Sequence, residues 1–143
     1  MRSVIAEAVD PSLPIRLPAR ATDGSACYDL VAAQPAELMR GKVTLVRTGL
    51  RMRCPPGTFL EVRPRSGLST KGVLMVNAPG TIDRDYSGEV RVPLTYLFEG
   101  SYSIQTGDRI GQMRLVEDHP TRFRSGKVRT VASRTGGFGS TGR

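Results

Sequence analysis

Sixteen glycines and ten prolines interrupt this 143-residue chain in short clusters rather than in one linker. Proline removes a backbone donor and glycine loses the most entropy on ordering, so punctuation at this density leaves segments too short for long helices. The segments that remain alternate. Val90, Val92, Leu94, Tyr96 and Phe98 stand against Arg91, Pro93, Thr95 and Leu97, and Leu50, Met52 and Cys54 stand against Arg51 and Arg53. Period two is the pattern of a strand with one face inward. Pro93 forfeits a ladder donor, which predicts a sheet edge or a bulge there. Residues 58–63 and 109–116 are further strand candidates, and Pro55-Pro56-Gly57, Glu99-Gly100 and Thr106-Gly107-Asp108 mark turns at the intervals of a sandwich or barrel. Only residues 35–40 read as a helical turn. The expectation is an all-β chain without internal repeats, with an appended arm from about Thr130.

The length supports one core and not two. No apolar stretch of signal-peptide length occurs in the first twenty residues, and purely apolar runs reach no more than four residues, as at 73–76. Neither secretion nor membrane spanning is expected, and a cytoplasmic location follows. Cys27 and Cys54 are too few for a disulfide framework, and with His119 the single histidine they offer no zinc-ligand spacing. The net charge of +8, with Arg122, Arg124, Lys127, Arg129 and Arg134 close together, implies attraction to polyanions. Nucleic acid, nucleotides and acidic proteins all qualify.

Five segments carry side chains suited to chemistry. Residues 63–72 leave a strand through Arg65-Ser66-Gly67; Arg65 can grip two phosphate oxygens while the Ser66 hydroxyl and Gly67 amide add neutral donors, and the same residues also fit a solvated basic turn. Residues 77–89 place Asn77, Asp83, Asp85 and Tyr86 around a turn. Asn77 has the acceptor and donors needed to read the edge of a pyrimidine, and Asp83, after apolar Ile82 at the start of a hairpin, fits a partly enclosed base that takes a proton from water. Ordinary turn acids are the alternative. Asp29 stands at a strand edge as a holder of metal-bound waters or a turn cap, and Gln112 follows the Gly107-Asp108 turn as a phosphate donor or a half-buried structural amide. In the final ten residues Phe138 stands among four glycines with Ser140 and Thr141, while Arg134 precedes them. Such a tail stays mobile until a ligand or another chain fixes it, and its inventory of stacking face, hydroxyls, amides and guanidinium suits a nucleotide, while on composition alone a disordered polar terminus with a stray Phe fits equally.

Taken in order, these five segments resemble the five motifs of the trimeric deoxyuridine triphosphatase (dUTPase) family, over residues 22–142. The resemblance implies a distorted jelly-roll-like β-barrel over residues 1–130, a flexible C-terminal lid over residues 131–143, and a homotrimer whose three active sites are shared between subunits. It implies Mg²⁺-dependent hydrolysis of dUTP to dUMP and pyrophosphate, limiting uracil in DNA and supplying dUMP for thymidylate synthesis, with nucleic acid not required. By resemblance, Asp83 activates the water that attacks the α-phosphorus and Asp29 holds Mg²⁺ through water. Asn77 and the backbone of Gly80, Thr81, Ile82 and Asp83 read uracil, Tyr86 packs under the deoxyribose and excludes a 2′-hydroxyl, and Arg91 lines the pocket wall. Arg65, Ser66, Gly67 and Gln112 hold phosphates, joined from another subunit's tail by Arg134, Gly139, Ser140 and Thr141, with Phe138 stacking on uracil. Three positions depart from the family pattern: Cys27 replaces a usual Gly, Gly111 a common Ala, and Arg134 stands four residues before Phe138 where the family has five. A deaminase of dCTP shares the barrel but lacks the Gly-Phe-Gly tail. A basic nucleic-acid-binding barrel and a jelly roll that has lost activity are the readings from other classes.

Overall fold

Short alternating segments can bury one face only by pairing across the chain, and in the structure, a computed structural model, nearly all of them do so. Residues 2–129 are described. In chain order the strands are β1 (Ile5–Ala8), β2 (Tyr28–Val31), β3 (Ala36–Met39), β4 (Thr44–Arg47), β5 (Leu50–Arg53) and β6 (Thr58–Arg63), then β7 (Val73–Met75), β8 (Gly80–Ile82), β9 (Arg91–Tyr96), β10 (Ser101–Ile104) and β11 (Arg109–Glu117). One helical turn, α1 (Ser66–Ser69), follows β6. The strands form four sheets, ordered β1-β5, β10-β3, β2-β11-β6-β8 and β4-β9-β7, with every pairing antiparallel. The result is an all-β, jelly-roll-like arrangement whose sheets do not close into one continuous barrel.

The core follows the alternation. Leu60 and Val62 of β6, Val92 and Leu94 of β9, and Ile110 and Met113 of β11 point inward with Leu30, Leu38, Val46, Leu50 and Ile104. Burying a side chain of this size contributes about 1.5–3 kcal/mol, so these rows dominate the energy that holds the sheets together. Cys54 is buried among them and its burial pushes the thiol's pKa up, which makes it an inert apolar filler.

Three expectations change. Residues 35–40 do not form a helical turn: Ala36–Met39 is a strand, with Glu37 opposite Ser103 and Leu38 opposite Tyr102 of β10. Pro93 sits in β9, which is the middle strand of its sheet rather than an edge, and no bulge marks it. Its carbonyl accepts from the Val76 amide just beyond the end of the β7 ladder at Met75, and the N and O of one residue in an antiparallel strand face the same neighbour. The missing donor therefore falls where the ladder has already ended. The hairpin expected after Ile82 is also absent, because β8 pairs back onto β6, with Ile82 opposite Leu60 and Gly80 opposite Val62, while β9 joins a different sheet.

Candidate active site

The register of one sheet gathers the first cluster. On β11, Gln112 is opposite Asp29 on β2 on one side and opposite Arg63 on β6 on the other. The chain then leaves β6 through Pro64 into the α1 turn, which brings Arg65 back over Asp29. Arg65 Nε donates to Asp29 Oδ1 at 2.9 Å, and an Arg109 terminal nitrogen donates to Oδ2 at 3.3 Å. Gln112 Nε2 donates to the Pro64 carbonyl at 2.9 Å, which ties the turn to β11. Asp29, Arg65, Ser66, Gly67 and Gln112 thus line one cleft, together with Ser25 and Cys27. The Ser66 and Gly67 amides open the turn, whose first carbonyl, that of Arg65, accepts from Leu68 and Ser69. Donors outnumber the single carboxylate here, so the cleft suits an anion with several oxygens.

The second cluster is built by the segment between β8 and β9. Asn77, Ile82, Tyr86, Gly88, Glu89 and Arg91 line it with Leu45 and Pro93 from the outer face of the β4-β9 pair. Gly80 is buried, and a Cβ there would approach the Asn77 amide nitrogen to 3.0 Å and the Met75 methyl to 3.2 Å, so glycine leaves the room that Asn77 occupies. Thr81 is exposed and lies opposite Glu61. The Tyr86 hydroxyl donates to the Glu89 carbonyl at 3.0 Å. Gly88 lies under the phenol: a Cβ would stand 2.5 Å from its oxygen. A half-apolar recess lined by one amide and a fixed aromatic ring fits a planar base on a sugar.

Asp83 was expected to be partly enclosed; in this chain its residue is exposed, and its carbonyl accepts from the Tyr86 amide at 3.1 Å. It lines neither cleft. One chain therefore lines one cleft with Asp29, Arg65, Ser66, Gly67 and Gln112 and another with Asn77, Ile82, Tyr86 and Arg91, and a shallower opening beside Gln112 is lined by Arg63, Pro64, Ala78 and Pro79. Arg134, Phe138, Gly139, Ser140 and Thr141 lie outside the described residues. Glu89 is a residue that no motif singles out: its side chain is 6% exposed and takes both Arg47 and Arg91. Its main partner Arg47 is 42 positions away, so no local pattern announces it.

Among the described residues no group of three His, Cys, Asp or Glu side chains is placed to hold a metal ion directly. Asp29 is the single carboxylate of its cleft, a donor set that suits a hard cation which keeps most of its own waters.

A family profile described as dUTPase matches residues 14–142. A deoxyuridine 5′-triphosphate nucleotidohydrolase from Anaeromyxobacter sp. (strain Fw109-5) is 46% identical over 141 residues, spanning 91% of this chain and 90% of that protein. One of the same name from Rickettsia felis is 41% identical, spanning 88% of each. Among solved structures, a variant of the Staphylococcus bacteriophage 80alpha dUTPase with dUpNHpp has a TM-score of 0.81 at 23% identity, with 98% of each chain covered, which establishes the shared fold. With the profile covering most of its length and relatives above 40% identity, the chain belongs to the dUTPase family, the enzymes that hydrolyse deoxyuridine triphosphate to the monophosphate.

Proposed function

We propose that this chain hydrolyses dUTP to dUMP and pyrophosphate in sites that copies of the chain complete for one another, within a homotrimer. The observation that carries the reading is the complementary chemistry of two clefts that one chain keeps apart: a cationic, donor-rich cleft around Arg65 and a base-sized recess around Asn77 and Tyr86. A nucleoside triphosphate needs both at once. The triphosphate lies against Arg65, Ser66, Gly67 and Gln112, and Arg65 exchanges its bond to Asp29 for phosphate oxygens. Uracil meets Asn77 and the backbone of Gly80, Thr81, Ile82 and Asp83, the sugar packs on Tyr86, and a ribose 2′-hydroxyl clashes with that ring. Arg91 closes the wall.

Asp83 accepts a proton from the water that attacks the α-phosphorus. The bond from that phosphorus to the bridging oxygen breaks, and pyrophosphate leaves with the electron pair. Its exposure on one chain accords with a site finished by a second copy, which supplies the phosphate-holding groups. Asp29 would hold Mg²⁺ through water, and the cation would offset the charge that the phosphates share. The terminal residues complete the site from another subunit, with Phe138 stacking on uracil and Arg134, Gly139, Ser140 and Thr141 on the phosphates.

Among the described residues no helix is long and apolar enough to cross a membrane, and a cytoplasmic setting accords with two free cysteines. Pyrophosphate release measured for dUTP, dCTP, UTP and dTTP, with and without Mg²⁺, tests the proposal. Release from dUTP alone, dependent on the cation, is the expected result; ammonia from dCTP, or no release from dUTP, would refute it.

A further inference from the structure

We infer that Glu89 is the positioning residue of the nucleoside recess, fixing Arg91 and Tyr86 and through them the preference for a deoxyribose; the inference rests on the reading of that recess given above. Arg47 on β4 and Arg91 on β9 are direct cross-strand partners. Like charges in that relation repel and would turn one guanidinium away from the sheet. The Glu89 carboxylate sits between them instead. Its Oε2 accepts from Arg47 Nε at 2.9 Å and from Arg91 Nε at 3.0 Å, and its Oε1 accepts from Arg47 Nε at 3.0 Å and from the Gly49 amide at 2.9 Å. Gly49 has a φ of 71°, and a Cβ there would stand 3.0 Å from the Ile15 Cγ2 methyl, so the amide is presented by a turn that only glycine fits.

The same residue also acts through its main chain, because its carbonyl is the acceptor for the Tyr86 hydroxyl. One buried side chain therefore sets the wall residue Arg91, and the backbone it anchors sets the ring against which a sugar would pack. Arg91 is half in solvent, with 46% of its side chain exposed, so nothing but Glu89 among the described carboxylates holds it at the recess. Neutralising Glu89 leaves two facing cations with no anion between them and frees the segment that carries Tyr86.

The test compares the wild type, Glu89→Gln and Glu89→Asp for dUTP and UTP turnover, with dUMP binding by calorimetry as a readout independent of catalysis. Glu89→Gln should raise the KM for dUTP and weaken dUMP binding about tenfold with kcat little changed, the loss expected for a charge-assisted contact. The ratio of kcat/KM for UTP to that for dUTP should rise by a similar factor, and Glu89→Asp should restore part of both. A Glu89→Gln protein with a lower Tm but unchanged KM, dUMP affinity and UTP ratio would overturn the inference, since a merely structural carboxylate behaves that way. If Glu89→Gln does not fold, Arg91→Ala removes the positioned group while leaving Glu89 paired with Arg47 and Gly49. It should shift KM in the same direction, and an unchanged KM there would likewise overturn the inference. A wild type that leaves dUTP intact defeats the proposed function, whereas a normal wild type with an unaltered Glu89→Gln defeats only this inference.

Discussion

Asp29 and Asp83 carry the same carboxylate into opposite surroundings. Asp29 is 17% exposed and takes two guanidiniums, whereas Asp83 is exposed and makes no ion pair among the described residues. Asp29 is tied into its cleft by those guanidiniums, whereas the Asp83 side chain is left open to a water, the placement that the proposed proton acceptor needs. Asp83→Asn should therefore fold and bind dUTP but turn it over at least about a hundredfold more slowly, the usual minimum for loss of a general base, as single-turnover kinetics would show. Near-normal turnover would remove Asp83 from the chemistry. Both were singled out in the sequence by motifs of fixed order. Glu89 was not, since its role depends on Arg47 and Gly49, which only the β4-β9 pairing brings near.

The elements divide along the same line. Residues 58–63 and 109–116 read correctly as strands because both follow turn residues and the first alternates, and the structure extends the second only to Glu117. Residues 36–39 misled because Ala, Glu, Leu and Met favour helices locally, a preference of a few tenths of a kcal/mol per residue that pairing with β10 outweighs. Within β11 the register shifts between Arg109 and Gly111, and a Cβ at Gly111 would make ordinary contacts, 3.5 Å from the Arg63 carbonyl and 3.6 Å from Val62 and Val92. Gly111→Ala should thus raise stability by about 0.4–1 kcal/mol through the unfolded chain, measurable by denaturant titration; a loss would mean that the shifted register requires glycine. Across the same ladder Arg114 faces Glu61, and Arg63 reaches it from its own strand. The Arg63 hydrogen bond is the main cause holding the Glu61 carboxyl below the usual glutamate range, aided by the charges of Arg114 and Arg63 and opposed by burial. A carboxyl lowered on folding stabilises above its unfolded value, about 4.3, and that contribution disappears as pH falls through the lower folded value. The fall in Tm on acidification below about pH 4.3 should accordingly be shallower in Glu61→Gln than in the wild type, and identical slopes would show that the pair contributes nothing.

At the scale of the whole molecule, charge and site are both unevenly distributed. Residues 118–143 hold six cations and one acid, against fifteen and twelve in residues 1–117, so five of the eight net positive charges lie beyond the last strand. The surplus belongs to the chain's end rather than to the sheets. Removing residues 136–143 should leave the proposed trimer intact by light scattering with little dUTP hydrolysis, and a fully active truncation would show that the terminal residues take no part. The order of motifs singles out these residues in the sequence but not the two clefts between which the chain divides them, because order carries no information about spatial grouping. That division is what subunit mixing can probe. On the proposed roles, Arg65→Ala removes the phosphate grip and Asp83→Asn the proton acceptor, so each protein alone should be nearly inactive. Unfolded together and refolded as mixed oligomers, they should regain dUTP hydrolysis well above the sum of the two parents, since some sites then draw an intact Arg65 from one chain and an intact Asp83 from another. Activity that stays at that sum would mean that each site is built within a single chain.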